Sequence, residues 1–160
     1  MERKARTPTK KQIMEMVSVK ARYETWDTSN PGITFALSTG RISVFLRTLT
    51  LLEYPQYFCF RFCSDLGLFD VRVCEKNDEG SRLLRIRAPK EGVTVKNINL
   101  VRTVYSVCGW NPGISYRIAG KLRPEDKLVR FDLSSAYEIH EGRLMKNAST
   151  MRKEEIVYGK

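Results

Sequence analysis

Between Ile33 and Leu133 the apolar residues recur mostly at every second position, in short runs cut by turn-forming residues. That period is the signature of half-buried strands. Ile33, Phe35 and Leu37 alternate with Thr34 and Ala36, Ser38-Thr39-Gly40 turns the chain, and Arg41-Ile42-Ser43-Val44 forms a second short strand. Phe45, Leu46, Leu49 and Leu52 then switch to helical spacing, and Pro55 ends that helix because the residue before a proline is pushed out of the helical region. Tyr57 to Phe62 and Leu68 to Val73 read as two further strands, joined by Ser64-Asp65-Leu66-Gly67.

After the polar linker 75–81 the same order recurs. Leu83 to Ala88 alternates, Pro89-Lys90-Glu91-Gly92 turns, and Val93-Thr94-Val95 is a short strand. Asn97 or Asn99 caps a helix carrying Leu100, Val101, Val104 and Val107, which Gly109 and Asn111-Pro112-Gly113 stop. Ile114 to Ile118 and Leu128 to Leu133 make a hairpin across Gly120–Asp126. Local detail matches too: Gly40-Arg41-Ile42-Ser43-Val44 against Gly92-Val93-Thr94-Val95, and Leu46-Arg47-Thr48-Leu49 against Val101-Arg102-Thr103-Val104. One ββαββ unit of about 45 residues is too small to bury an adequate core. The expected fold is therefore α+β with β dominant: tandem ββαββ repeats forming an intramolecular pseudo-dimer around a small barrel. The chain divides into a basic arm and turn (1–32), a first repeat (33–80), a second repeat (81–133) and a polar tail (134–160) without clear period. Trp26 and Trp110, each beside a breaker, close the barrel ends, and the Phe-rich strand 57–62 belongs to the core rather than to a base-stacking platform.

A glycine, a basic residue and a short strand, then a helix of Leu-Arg-x-x-Leu character and a hairpin, resemble the swapped-hairpin AbrB-type DNA-binding regulators. Gly40 to Val73 carries the closer match, and two such units in one chain look like the tandem arrangement of MraZ-type regulators. The resemblance spans roughly residues 33–133 and implies duplex-DNA binding through basic residues near the first strand and the Gly-Arg turn. Arg41 carries over directly; Arg85, Arg87 and Lys90 occupy a similar region of the second repeat.

Composition narrows the function classes. Among 160 residues, 28 Lys and Arg face 18 Asp and Glu, a net charge of +10, and residues 1–22 alone contribute +5. A basic excess shared between arm and body favours an anionic polymer as partner. With a single His, His140, most metal sites and imidazole acid–base schemes have no residues to use. Neither GxxxxGK[ST] nor GxGxxG occurs. Four cysteines (Cys59, Cys63, Cys74, Cys108) without a CxxC and without an apolar leader behind MERKARTPTKKQ read as reduced thiols of a cytoplasmic protein.

The expectation is a non-catalytic double-stranded DNA-binding protein, a transcriptional regulator or mobile-element accessory factor, without cofactor or metal. Phosphate contacts are assigned to Arg3, Lys4, Arg6, Lys10 and Lys11 of the arm and to Arg41, Arg85, Arg87 and Lys90 near the turns. The alternative is a protein-interaction module whose arm folds onto an acidic partner. The oligomeric state stays open between a monomeric pseudo-dimer and a homodimer.

Overall fold

The computed structural model describes residues 23–24, 26–85, 92–140 and 142–146. Its described strands are β1 (Tyr23–Glu24), β2 (Gly32–Ala36), β3 (Arg41–Val44), β4 (Tyr57–Cys63), β5 (Leu68–Val73), β6 (Arg82–Leu83), β7 (Val93–Lys96), β8 (Ser115–Arg123), β9 (Leu128–Asp132), β10 (Tyr137–His140) and β11 (Arg143–Lys146). Helix α1 (Leu46–Leu51) follows β3, helix α2 (Ile98–Cys108) follows β7, and a 3-10 turn spans Leu133–Ser135. The chain is β-dominant, and the strands form one curled antiparallel sheet, a half-barrel.

Strand β8 is the branch point of the sheet. Its first half pairs with β10 and β2, and β2 leads on to β3 and β7. Its second half pairs with β9, followed by β5, β4 and β6. The change of partner falls at Gly120, where a Cβ would come within 2.7 Å of the Phe131 ring. Glycine there lets the opposite strand approach and the sheet curl. The expected hairpin loop at Gly120–Asp126 is thus corrected: strand pairing continues to Arg123, and the turn is only 124–127.

The core fills the inside of the curl. Ile33, Phe35, Ile42, Phe69, Val71, Ile118, Val129 and Phe131 are fully buried, joined by Leu49 of α1 and Val101 and Val104 of α2. Each such side chain contributes about 1.5–3 kcal/mol relative to exposure. Phe35 meets Phe69 edge-on with ring centroids 5.0 Å apart. Phe58 is buried and Phe60 and Phe62 pack against the same cluster, so the aromatic strand serves the core. Trp110 also lies inside, stacked on Tyr116 at 4.3 Å. The Tyr105 hydroxyl donates to the Ile114 carbonyl at 2.6 Å and accepts from the Leu37 N–H at 3.3 Å, tying α2 to two loops.

Helix α2 starts and stops as its residues dictate. Asn97 Oδ1 accepts from Leu100 N, and Gly109 ends the helix in the left-handed conformation. Helix α1 is only six residues long, shorter than its apolar spacing suggests. Phe45 supplies no side-chain cap, and Glu53 and Tyr54 both take positive φ ahead of Pro55, ending the helix early. Segment 137–146, expected as part of a polar tail, forms the β10–β11 hairpin, which pairs with β8 and β1. Its buried residues Glu138 and Leu144 lie on opposite faces of the hairpin, since Leu144 pairs with Ile139, so no single apolar face displayed a period. In the linker before β7 the expected strand 83–88 is seen only as β6, Arg82–Leu83; residues 86–91 lie outside the described residues.

Thr48 fastens α1 to β2. Completely buried, its hydroxyl donates to the Gly32 carbonyl and accepts from the Gly32 N–H, both at 2.9 Å. The Gly32 carbonyl has a second donor in Phe45 N, but among the described residues no other hydrogen bond involves the Gly32 N–H. Thr48→Val keeps the shape and orphans that donor, so urea denaturation should show a loss of about 1–3 kcal/mol. Thr103→Val on the exposed face of α2 should change stability by less than about 0.5 kcal/mol.

Candidate nucleic-acid interface

The pairing of β3 with β7 brings two basic residues face to face. Arg41 stands directly across from Lys96, and both are exposed. Like charges opposite each other on neighbouring strands destabilise a sheet. Neither takes part in an ion pair among the described residues, as Asp70 and Arg130 do. On the other side, β6 pairs with β4 through Tyr57–Leu83 and Phe58–Arg82 and delivers Arg82 and Arg85 toward the same place. Arg41, Arg82, Arg85 and Lys96 thus line one groove of about 570 Å3, floored by Phe58, Val93 and Val95. No acidic side chain lines it among the described residues.

Of the residues assigned from sequence, Arg41 and Arg85 therefore come together. Arg87, Lys90, Arg3, Lys4, Arg6, Lys10 and Lys11 lie outside the described residues. Arg82 and Lys96 were missed, since their positions depend on long-range pairing that local sequence does not display. For Lys96 one local signal existed: it follows Thr94 by two positions, on the solvent side of a strand.

Elsewhere the charges are organised differently. One row across the sheet runs Arg61, Asp70, Arg130 and Lys121 through β4, β5, β9 and β8. Arg130 grips Asp70 with two hydrogen bonds, Nε to Oδ1 at 2.9 Å and Nη2 to Oδ2 at 3.0 Å. That carboxylate hydrogen bond raises the pKa of Arg130 above its ordinary value. Asp70 is buried, so the pair satisfies a carboxylate that would otherwise stand unpartnered.

His140, placed by sequence in the polar tail, sits on β10 with Nε2 3.0 Å from Glu138 Oε2, on the same side of the strand. All four cysteines are free. Burial, followed by a hydrogen bond with Cys74, pushes the Cys59 thiol up to about 11. Burial alone pushes Cys108 up to about 11. Among the described residues no three His, Cys, Asp or Glu side chains gather as a metal site. No described helix is long and apolar enough to cross a membrane. The chain matches no protein-family model, no curated protein and no solved structure.

A thiol that titrates at about 11 is roughly one-thousandth thiolate at pH 8. Iodoacetamide labelling with peptide mapping should find Cys59 and Cys108 at least about tenfold slower in the folded chain than in urea. Because folding raises these pKa values, their contribution to stability is complete below the ordinary thiol range. It is lost as pH rises toward 11, where the unfolded chain has already released protons that the folded chain keeps. Equal labelling of folded and unfolded protein would contradict both expectations.

Proposed function

We propose that the protein is a non-catalytic binder of double-stranded DNA, acting as a transcriptional regulator or mobile-element accessory factor. The observation that carries this reading is the convergence of Arg41, Arg82, Arg85 and Lys96 on one groove that no acidic side chain lines among the described residues. A phosphate backbone compensates exactly the cost such a groove creates: four cations held together, two of them opposed across a ladder. Net charge of +10 over the whole chain adds long-range attraction for a polyanion.

The scaffold in this proposal is a pair of ββαββ halves arranged as an intramolecular pseudo-dimer, resembling the swapped-hairpin regulators. Exchange of the two halves supports it. β4–β5 answers β8–β9, β2–β8 answers β6–β4, while β3–β7 and β5–β9 each pair one half with the other. The hairpin turns match in detail: Gly67 and Lys127 both take positive φ at the last turn position. Val73 N donates to Lys127 O and, reciprocally, Leu133 N donates to Gly67 O, each at 2.9 Å. On this arrangement the pseudo-axis passes between the Ile42–Val95 and Ser43–Thr94 pairs of the β3–β7 ladder, and Arg41 and Lys96 lie together at one end of it.

Fluorescence anisotropy with random-sequence duplex should show affinity falling log-linearly with salt, by about 0.9 in slope for each phosphate contact. The double variant Arg41→Ala/Lys96→Ala removes a repulsive pair, so folding should be unharmed while the slope drops by about 1.8 units. Arg85→Ala should weaken all sequences alike. Absence of binding at low salt, or an unchanged slope in the double variant, would remove the groove from the reading.

A further inference from the structure

A second groove, of about 820 Å3, lies on the other side of Gly92–Thr94 and is built differently. Its centre is Arg117 of β8, half-buried, with its guanidinium carbon 4.9 Å from the centre of the Phe45 ring and 5.5 Å from that of Trp26. The two rings meet edge-on at 5.5 Å and cover Gly32, where a Cβ would come within 2.5 Å of Phe45. Arg117 Nε donates to Thr34 Oγ1 at 3.3 Å, and among the described residues no hydrogen bond engages its two terminal nitrogens. Arg47 stands on the same wall, held through its Nε to the Ser29 carbonyl at 3.1 Å. Ser43 and Thr94, 3.4 Å apart, add hydroxyls to a wall otherwise formed by Val44, Leu46 and Val93.

Among the described residues no carboxylate answers these two arginines. None lines the groove among the described residues, and Asp27, close by in sequence, is turned onto the N–H and hydroxyl of Ser29. Burial lowers the pKa of Arg117, the expected mark of a cation partly withdrawn from water without a counter-ion. The ring faces offset part of that cost, but the guanidinium fork, whose geometry matches carboxylate and phosphate, stays unfilled. A concave apolar wall with a few convergent polar groups, at a volume inside the usual range of about 300–1,000 Å3, is what small-ligand sites share.

We propose that this groove binds a small organic anion: an apolar or aromatic body against Trp26, Phe45 and Leu46, with a carboxylate or phosphate head held by Arg117 and Arg47. The site is independent of duplex binding, because its aromatic wall and Arg117 belong to neither Arg41, Arg82, Arg85 nor Lys96.

The test is calorimetric titration of the full chain with benzoate and phenyl phosphate, with Trp fluorescence as a second readout. Benzyl alcohol tests the apolar body alone, and inorganic phosphate the head alone. Saturable binding with a Kd of about 1 mM or tighter is expected for at least one of the two aromatic anions, and weaker binding for both single-feature probes. Comparing benzoate with phenyl phosphate tells which head the site prefers. Arg117→Met, which keeps an apolar stem between the rings, should reduce affinity about tenfold or more at unchanged thermal stability. Ser43→Glu, a solvent-side change that supplies an internal carboxylate, should abolish binding even if Arg117→Met fails to fold. No saturable binding by either aromatic anion, or full binding in Ser43→Glu, would overturn the proposal. Neither outcome bears on duplex binding, which is measured without these probes.

Discussion

The β5–β9 ladder is the contact on which the rest of the molecule depends. It joins two hairpins far apart in sequence, and its two faces do different work. On the inner face Phe69 pairs with Phe131 and Val71 with Val129, all fully buried. On the other face Asp70 and Arg130 close a two-bond ion pair across the same strands. A slip of one residue would move the phenylalanines to the Asp70–Arg130 side and carry that pair into the core, so register is specified by both faces at once. The reciprocal bonds from Val73 to Lys127 and from Leu133 to Gly67 lock each hairpin's end beneath the other's turn. Neither hairpin would retain a covered apolar face without its neighbour.

From this ladder the curl follows. β9 reaches β8 at Gly120–Arg123, and β8 bends away at Gly120 to serve β2 and β10. The bend directs β2 and β3 over the inside of the sheet, where Phe35 meets Phe69. α2 then closes the inside through Val101, Val104 and the Tyr105–Trp110–Tyr116 cluster. The Thr48 cross-link sets α1 against β2 and so fixes Phe45 over Gly32, which builds the wall of the larger groove.

Much of this was legible in the sequence, and the illegible parts share a cause. The strand-strand-helix order, the span of α2 and its Asn97 and Gly109 ends are local properties, written in spacing and capping chemistry. α1 fell short of its spacing because left-handed Glu53 and Tyr54 are not foreshadowed by their residue types. β10 and β11 were hidden because Glu138 and His140 alternate with Tyr137 and Ile139, leaving little contrast between faces. The site divides in the same way. Arg41 and Arg85 were found from charge beside turns, whereas Arg82 and Lys96 joined them only through β4–β6 and β3–β7. Arg117 gave no signal at all, because Trp26 and Phe45 reach it from segments remote in the chain.

Where local rules are broken, the breaches cluster. At the β5–β9 end the buried carboxylate is answered by a guanidinium, as stability alone requires. Around β3 and β7 the pattern reverses. Arg41 opposes Lys96, Arg117 is half-buried without an anion, and a Cβ on Gly92, between the two grooves, would collide with the Val44 carbonyl. The two charge arrangements cost folding free energy, and no carboxylate among the described residues lines either groove to repay it. A sequence shaped only for stability would remove them with a Glu for Lys96 or an apolar residue for Arg117. Conflicts between local choice and global fold concentrate at functional sites, and both arginine-lined grooves border the same strand, β7. The β5–β9 end therefore supplies the rigidity that lets the β3–β7 end hold positive charge that no described carboxylate pairs, and it is on this charge that the proposed anionic partners rest.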